Sequence, residues 1–441
     1  MSGAAEIDQT EVGSYFVSNY PPFSVWTADA VAADGLPALA QSPAPGVPLG
    51  LYLHIPFCRK QCHFCYFRVY TNKNARDIEE YLELLAREWE LYQQSAAVAG
   101  RPLSFVYFGG GTPSFLSSGQ LQRLVVRLTA SASWKTAEEV TFECEPGTLT
   151  EPKLEAIRAL GVTRLSLGVE NFSDRLLELN GRAHRTPEID RVYRFARAVG
   201  FPQINIDLIA GMLGETDENW TACVRRTLEL APDSVTIYQM ELPFNTTISR
   251  DLLHHTGQFS EPVATWPTKR RWVDEAFAAL EQAGYHVGSA YTAVKNPAAT
   301  TFVYRDRLWQ GADLVGLGVA SFGHVNGVHL QNADKWEAWQ TRIEHGELPL
   351  ARAYRPTNEE RMIREFVLHL KRGSLRPSYF TDKYGIDPLD RFHEQLDGLA
   401  AGDLLSTRSA ERLSLTRAAL LRVDVLLQRF FLPQHVGIRY T

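Results

Sequence analysis

From residue 49 to residue 242 the chain repeats one unit, a short apolar run followed by a longer amphipathic stretch. The runs are LGLYLHI (49–55), SFVYFGG (104–110), EVTFECE (139–145), RLSLGVE (164–170), INIDLIA (204–210) and SVTIYQMEL (234–242). Each is rich in β-branched, Leu or aromatic residues, the composition of a buried strand. Helical patterns lie between them at 117–130, 151–160, 173–180, 187–199 and 216–230. Ahead of these, Asp77 is placed to cap a helix with Ile78, Tyr81, Leu82, Leu85 and Trp89 on one face. Strands that alternate with helices pair in parallel, because each helical crossover returns the chain to the end it left. An open doubly wound sheet and a curved partial barrel both satisfy that rule, and the strand count alone does not choose.

The flanking segments break the rhythm. Residues 1–48 are irregular, with YFVSNYPPFSVW and then the Ala/Pro-rich LPALAQSPAPGVP, and read as an extended arm. A helix at 266–283 follows the last strand, and then an irregular stretch runs through GLGVASFGHVNGVHLQN. From 353 the chain turns mainly helical: Thr357 caps NEERMIREFVLHLKRG, Gly373 ends it, and LLRVDVLLQRFF reads as a further amphipathic helix. The expected organisation is an N-terminal arm (1–48), a parallel α/β unit (49–290), an extension (291–352) and a small helical C-terminal domain (353–441). A net charge of −6 offers no general attraction to nucleic acid. No apolar run approaches the ~20 residues of a membrane-spanning helix. MSGAAEIDQTEVG lacks the apolar core of a signal peptide, so the cytoplasm is the expected compartment.

Five cysteines in 441 residues are too few for a disulfide scaffold. Three of them fall within eight residues, as Cys58-x-x-x-Cys62-x-x-Cys65, directly after the first strand. Three thiolates so close can each hold one iron of a [4Fe–4S] cluster and leave the fourth iron open to a small molecule. A zinc knuckle with His54 or His63 as fourth ligand, or three buried thiols without metal, would use the same residues. Cys144 and Cys223 stand alone, in a strand and a helix, and read as core. Gly109-Gly110-Gly111-Thr112-Pro113 ends the second strand. Such glycines let the backbone approach a ligand, although a tight turn would need them too, and no Gly-Lys-Ser/Thr follows to make a P-loop. Later strand ends carry Glu143 and Glu145, Glu170 and Asn171, and Asp207, with Arg182 twelve residues after Glu170. Any one of these acids alone would be a helix cap or a surface charge. Together, at the C-terminal ends of parallel strands, they gather where such sheets bind ligands.

Through YLHIPFCRKQCHFCYF, FGGGTPSFL, FECEPGTL, RLSLGVENF, GRAHRT, INIDLIAGMLGET, GLGVASFGH and LLQRFF, the chain resembles the radical S-adenosylmethionine (SAM) superfamily. Within it the likeness is to the oxygen-independent coproporphyrinogen III oxidase-like family, from Tyr52 to the C-terminus. The resemblance implies an α/β fold, a partial (β/α)6 barrel with an N-terminal arm and a small mainly helical C-terminal domain. It implies a [4Fe–4S] cluster on Cys58, Cys62 and Cys65, with Tyr52 beside the cluster and SAM. Gly110, Gly111 and Thr112 would contact the methionine part of SAM. Glu143, Arg182 and Asp207 would fix its amino, carboxylate and ribose groups. Members can bind a second SAM, which would put Tyr304 and the segment from Ala320 to Phe322 at a second pocket. A small-molecule substrate, an electron donor such as flavodoxin or ferredoxin, and a monomer complete the expectation. In this chemistry one electron breaks the C5′–S bond of SAM, and the 5′-deoxyadenosyl radical takes hydrogen from an unactivated C–H bond.

Two positions depart from that family. Phe67 stands where the oxidase type often has another cysteine, and Glu170 where the family usually has glutamine. A carboxylate accepts hydrogen bonds and donates none unless protonated, though it can still accept from a SAM ribose hydroxyl. Three readings follow. Oxidative decarboxylation of a tetrapyrrole propionate needs cations, for which Arg59, Lys60, Arg68 and Arg305 are candidates. A two-SAM methyltransferase or cyclopropanase suits the aromatic CHFCYF loop. A haem-binding chaperone would keep the scaffold without that catalysis, and the long arm argues against it. In the arm, Pro21, Pro22, Phe23 and Trp26 would either cover the barrel mouth as a lid or pack on its side.

Overall fold

The computed structural model describes residues 19–243, 245–254 and 259–438. The first part of the arm, including YFVS, lies outside the described residues. The six expected strands are β1 (Leu49–Ile55), β2 (Leu103–Gly110), β3 (Glu139–Cys144), β4 (Arg164–Glu170), β5 (Gln203–Ala210) and β6 (Ser234–Gln239). They pair in parallel in chain order. Helices α1 (Leu36–Ala40), α2 (Ala75–Tyr92), α3 (Ser118–Ser131), α4 (Glu151–Ala159), α5 (Asp174–Leu179), α6 (Thr186–Val199) and α7 (Asp217–Leu230) precede or follow them. Side chains such as Leu82, Leu85, Trp89, Leu124, Leu154, Ile189 and Trp220 join the strands' apolar residues in one buried core.

The start of α2 differs from expectation. Asn74, not Asp77, is the cap: its Oδ1 accepts from the backbone N–H groups of Arg76 and Asp77. Asp77 answers from the third position by accepting from Asn74 N at 3.1 Å, so the acid belongs to a capping box.

Beyond β6 the chain is more regular than expected. It forms α8 (Thr247–His254), α9 (Trp266–Gln282), β7 (His286–Val287), β8 (Thr292–Val294), α10 (Val303–Trp309), β9 (Asp313–Leu317), β10 (Phe322–Val325), β11 (Val328–Asn332), α11 (Trp336–Glu344) and β12 (Leu350–Tyr354). The expected irregular stretch thus contains a seventh parallel strand, because β9 pairs alongside β1. β10, β11 and β12 continue from it in antiparallel fashion, and β8 and β7 extend the other edge beyond β6. The glycines of GLG explain why no strand pattern was visible. A Cβ on Gly316 would lie 2.1 Å from the Phe322 carbonyl oxygen, so β10 can fold back over β9 only because no side chain is there.

Glu88 of α2 locks this turn. It is fully buried and accepts from Gly318 N (2.8 Å), Asn332 Nδ2 (2.6 Å) and Trp339 Nε1 (3.0 Å).

The fold is α/β, a partial barrel with an N-terminal arm and a mainly helical C-terminal region. α12 (Asn358–Leu370) starts at Thr357 in a capping box, as its sequence predicts. It leads into short helices, a three-stranded antiparallel sheet and a second apolar cluster around Phe366, Phe392, Leu426 and Phe430. The LLRVDVLLQRFF segment is not one helix: Val423–Leu427 is a short helix, and Gln428–Phe430 a 3₁₀ turn.

The described arm is also not simply extended, since Val31–Gly35 and Leu36–Ala40 are helical. Trp26 stacks on His329 of β11, with centroids 4.8 Å apart, and meets Phe322 of β10 edge-on. Tyr20 enters the C-terminal cluster and accepts from Leu432 N at 3.0 Å. The arm therefore straps the β10–β11 edge to the C-terminal region. Among the described residues no helix is long and apolar enough to cross a membrane.

Candidate functional site

β1 delivers the chain to the C-terminal ends of the strands, and the cysteine loop begins there. Its path is held by backbone pairing: Cys58 N donates to Tyr70 O (3.1 Å), Tyr70 N to Pro56 O (2.8 Å), and Gly111 N to Ile55 O (2.8 Å). The glycines at the end of β2 are needed for this contact. Gly110 has φ +113°, and a Cβ on Gly111 would lie 2.9 Å from both Phe57 O and Pro56 C. The turn and the ligand-facing readings of this motif are therefore compatible.

Cys58, Cys62 and Cys65 are half-buried and ring a cavity of about 140 Å³ with Gly110, Gly111 and Thr112. Among the described residues no three or more His, Cys, Asp or Glu side chains converge as on a single ion. A cluster asks for less convergence, since each thiolate takes its own iron. The zinc alternative lacks its fourth ligand. His63 Nδ1 is bonded to Leu179 O at 3.0 Å, His54 Nδ1 is bonded to Tyr52 Oη at 3.2 Å, and neither ring lines the cavity. Burial pushes the Cys58 thiol up to about 11 and the Cys65 thiol up to about 12. Bound iron would supply the positive charge that deprotonates such groups. The donor set, three soft thiolates and no fourth, fits a [4Fe–4S] cluster with one open iron.

Arg182 joins the cysteine loop to the barrel. Its Nη1 donates to Cys62 Sγ at 3.4 Å and its Nη2 to Gly168 O at 2.6 Å, with Glu170 Oε1 3.5 Å away. Burial opposes its charge, but Cys62, Glu170 and Glu145 outweigh that and hold it protonated. Glu170 sits at a bulge between β4 and β5 and has φ +64°, a left-handed conformation costly for a residue with a Cβ. Burial pushes its carboxyl up to about 7, with Asp207 and Glu143 adding to the rise against Arg182. Glu143 accepts from Tyr107 Oη (2.6 Å) and Gly110 N (3.3 Å), and burial pushes it up to about 7. Asp207 accepts from Ser166 Oγ (2.8 Å) and Asn205 Nδ2 (2.9 Å), and burial raises it. Glu145 turns instead toward the cysteine loop, where Arg59 Nη2 (3.4 Å) and His184 Nδ1 (3.0 Å) meet it.

A second cavity of about 600 Å³ adjoins the first and shares Cys65, Gly111, Thr112 and Arg182 with it. Glu143, Glu170, Asp207 and Tyr304 line it, and it reaches the C-terminal region at Leu368, Lys371 and Asp424. The structure thus brings together most of the expected site residues. Tyr52 lies in the barrel beside Tyr107, with ring centroids 6.0 Å apart, and lines neither cavity. The expected second pocket is divided. Tyr304 faces the large cavity, 4.3 Å from the Tyr107 ring, whereas Ala320 and Phe322 line neither cavity. The Phe322 ring is instead taken up by Phe23 and Trp26 of the arm. Pro21, Pro22, Phe23 and Trp26 line neither of these two cavities, and the described arm packs on the side of the barrel through Phe23 and Trp26. Of the four candidate cations, Arg59 and Lys60 line the cysteine cavity, Arg68 bonds Asp334 O, and only Arg305 reaches the large one.

Sequence reasoning missed several lining residues. Tyr107 alternates with Gly109 on β2 and could have been found by its period of two. Tyr291, Trp309, Lys371 and Asp424 come from distant segments that only the fold assembles.

The chain is similar to known proteins along most of its length. Residues 52–226 match the family described as the radical SAM superfamily. Oxygen-independent coproporphyrinogen III oxidase of Salmonella typhimurium is 28% identical over 364 residues, covering 79% of this chain and 77% of that protein. The haem chaperone HemW of Bacillus subtilis is 27% identical over 355 residues, covering 79% of this chain and 88% of that protein. The structure of coproporphyrinogen III oxidase (HemN) from Escherichia coli matches with a TM-score of 0.80 and 25% identity, over 97% of this chain and 98% of that one.

Proposed function

Because the chain carries a radical SAM domain and is related along most of its length to oxygen-independent coproporphyrinogen III oxidase, we propose that it is an enzyme that removes hydrogen from a C–H bond of a small molecule. Its cofactors are a [4Fe–4S] cluster and SAM. When bound, they supply the carbon radical that breaks an unactivated C–H bond.

The chain's own residues do the rest. Cys58, Cys62 and Cys65 hold the cluster, and Arg182 places a fixed positive charge against Cys62. Gly110, Gly111 and Thr112 bring backbone and a hydroxyl to the side of the cluster cavity that opens on the large one. Glu143, Glu170 and Asp207 offer buried acceptor oxygens to the ammonium and hydroxyl groups of SAM. Tyr107 and Tyr304 wall the same space with rings.

The observation that carries this reading is that the thiol-ringed cavity opens onto a larger one through shared residues. A substrate C–H bond can therefore lie next to SAM without passing through solvent. Among finer readings, propionate decarboxylation follows the similarity to the oxidase. Alkyl transfer is favoured by one observation: Phe64, Tyr66 and Phe67 all line the large cavity beside Cys65.

The test is anaerobic reconstitution with SAM, a reductant and coproporphyrinogen III, measuring 5′-deoxyadenosine, S-adenosylhomocysteine and CO2. Deoxyadenosine with CO2 supports decarboxylation, and S-adenosylhomocysteine supports alkyl transfer. Haem binding with no SAM cleavage would overturn the enzyme reading in favour of a chaperone.

A further inference from the structure

Glu170 is held in an unfavourable place. It is buried, and its φ of +64° lies in the left-handed region that a Cβ disfavours. Among the described residues nothing donates a hydrogen bond to its carboxylate, and Arg182 is the one cation within salt-bridge distance, Nη2 lying 3.5 Å from Oε1. Burial works against the charged form, and the Arg182 guanidinium works for it.

A SAM hydroxyl does not explain why this residue is an acid. A glutamine carbonyl would accept from a hydroxyl as well, without the desolvation of a buried charge. What the carboxylate alone supplies is negative charge, and Arg182 is where that charge acts. The other nitrogen of the same fork, Nη1, donates to Cys62 Sγ at 3.4 Å. Glu145, the second carboxylate that Arg182 feels, is already met by Arg59, Gly147 N and His184. Glu170 is therefore the acid left to balance Arg182.

That balance matters to the cluster. A cationic donor on a ligating sulfur stabilises the reduced, more negative state and raises the reduction potential. Cleavage of a sulfonium needs the opposite, a strongly reducing cluster. We propose that Glu170 is a positioning residue acting through Arg182: its carboxylate offsets the guanidinium charge at Cys62 and so lowers the reduction potential of the [4Fe–4S] cluster. The proposal rests on the cluster assignment and not on the identity of the substrate.

The test is a redox titration of reconstituted holoprotein without SAM, following the signal of the one-electron-reduced cluster by electron paramagnetic resonance. It is run at about pH 8.5, above the value of about 7 to which burial pushes the Glu170 carboxyl. Glu170→Gln should raise the midpoint: at the wild-type midpoint its reduced form should outnumber the oxidised by about tenfold, which is about 59 mV for one electron. Glu170→Asp keeps a carboxylate and should lie closer to wild type than to Glu170→Gln. Asp207→Asn removes a buried carboxylate that faces Ser166 and Asn205 instead of Arg182, and should move the ratio by less than about threefold. In an Arg182→Met background the carboxyl has no cation to hold its charge, and Glu170→Gln should again move the ratio by less than about threefold. An unchanged or lower midpoint in Glu170→Gln, an equal shift in Asp207→Asn, or an undiminished shift without Arg182 would each overturn the proposal. So would loss of the cluster in Glu170→Gln, since the carboxylate would then hold the loop and not the potential. Wild type that forms no [4Fe–4S] cluster would overturn the cluster assignment and this proposal with it, whereas a loaded wild type beside an unshifted variant overturns the proposal alone.

Discussion

Gly111→Ala should cost the cluster its seat while leaving the barrel folded. The new Cβ would stand 2.9 Å from Phe57 O, 2.9 Å from Pro56 C and 3.0 Å from Ile55 O. All three are backbone atoms of the segment that leads into the cysteines, so no side chain can swing away. Overpacking of this kind costs about 1–3 kcal/mol, and rigid neighbours on every side place it near the upper end. The cheapest relief is to lengthen the 2.8 Å bond from Gly111 N to Ile55 O, which moves Cys58 away from Thr112. At about 1.4 kcal/mol per factor of ten, the loop would prefer the displaced position by roughly 5- to 150-fold. Gly119→Ala is the matched control: it is exposed on α3, its nearest neighbour is the flexible Arg123 guanidinium at 3.3 Å, and alanine there favours the helix by about 0.5–1 kcal/mol. The assay is iron and sulfide content after anaerobic reconstitution, with far-UV circular dichroism on the same samples. Gly111→Ala should hold under about half the wild-type iron with an unchanged helical signal, and Gly119→Ala should match wild type. Wild-type iron in Gly111→Ala would refute the claim that the glycine turn fixes the cysteine loop.

Other perturbations have equally definite outcomes. Glu88→Gln puts two amide N–H groups where the protonated acid carries a single O–H, against three N–H donors, and should lower stability by about 1–3 kcal/mol, read as a lower apparent Tm. Burial pushes the Glu88 carboxyl up to about 8, so the folded chain keeps a proton that the unfolded chain, at about 4.5, has lost. Stability from this group is therefore complete below pH 4.5 and falls as pH rises through 8, and the Tm deficit of Glu88→Gln should shrink over that window. Arg182→Lys cannot span Cys62, Gly168 and Glu170 with a single ammonium; losing a charge-assisted bond of about 1.5–3 kcal/mol should raise KM for SAM by about 10- to 100-fold. An unchanged KM would remove Arg182 from the SAM site. Trp26→Ala, at the strap, should lower stability by about 3–5 kcal/mol yet leave the rate of SAM cleavage unchanged below its melting range. A slowed rate would return the arm to the role of a lid.

How legible the molecule was depended on how local its determinants are. The βα repeat was readable because each unit buries one face of its own helix, as Leu82, Leu85 and Trp89 do in α2. The cysteine and glycine motifs were readable for the same reason, since eight residues and five residues carry them whole. The seventh parallel strand was hidden because β9 contains Gly316, whose use is to let β10 fold over it rather than to pack a side chain. Asn74 was passed over for Asp77 because the two share one capping box, and composition does not say which of them starts the helix. The far end of the cavity was not legible at all. Lys371, Asp424 and Tyr291 lie in three segments, and only the docking of the C-terminal region on the barrel makes them neighbours. The packing of Phe322 was hidden for the complementary reason, because an arm far away in sequence meets its ring.

The central claim is that three cysteines, and not the other two, hold a cluster that cleaves SAM. Cys144 and Cys223 are buried in the core, whereas Cys58, Cys62 and Cys65 ring one cavity. The most direct measurement is iron content and 5′-deoxyadenosine production, with SAM and a chemical reductant, in five single Cys→Ala variants reconstituted side by side. The account predicts that Cys58→Ala, Cys62→Ala and Cys65→Ala lose the cluster and all deoxyadenosine, while Cys144→Ala and Cys223→Ala keep both. Iron and deoxyadenosine that survive in any of the first three, or that vanish equally in all five, would contradict it.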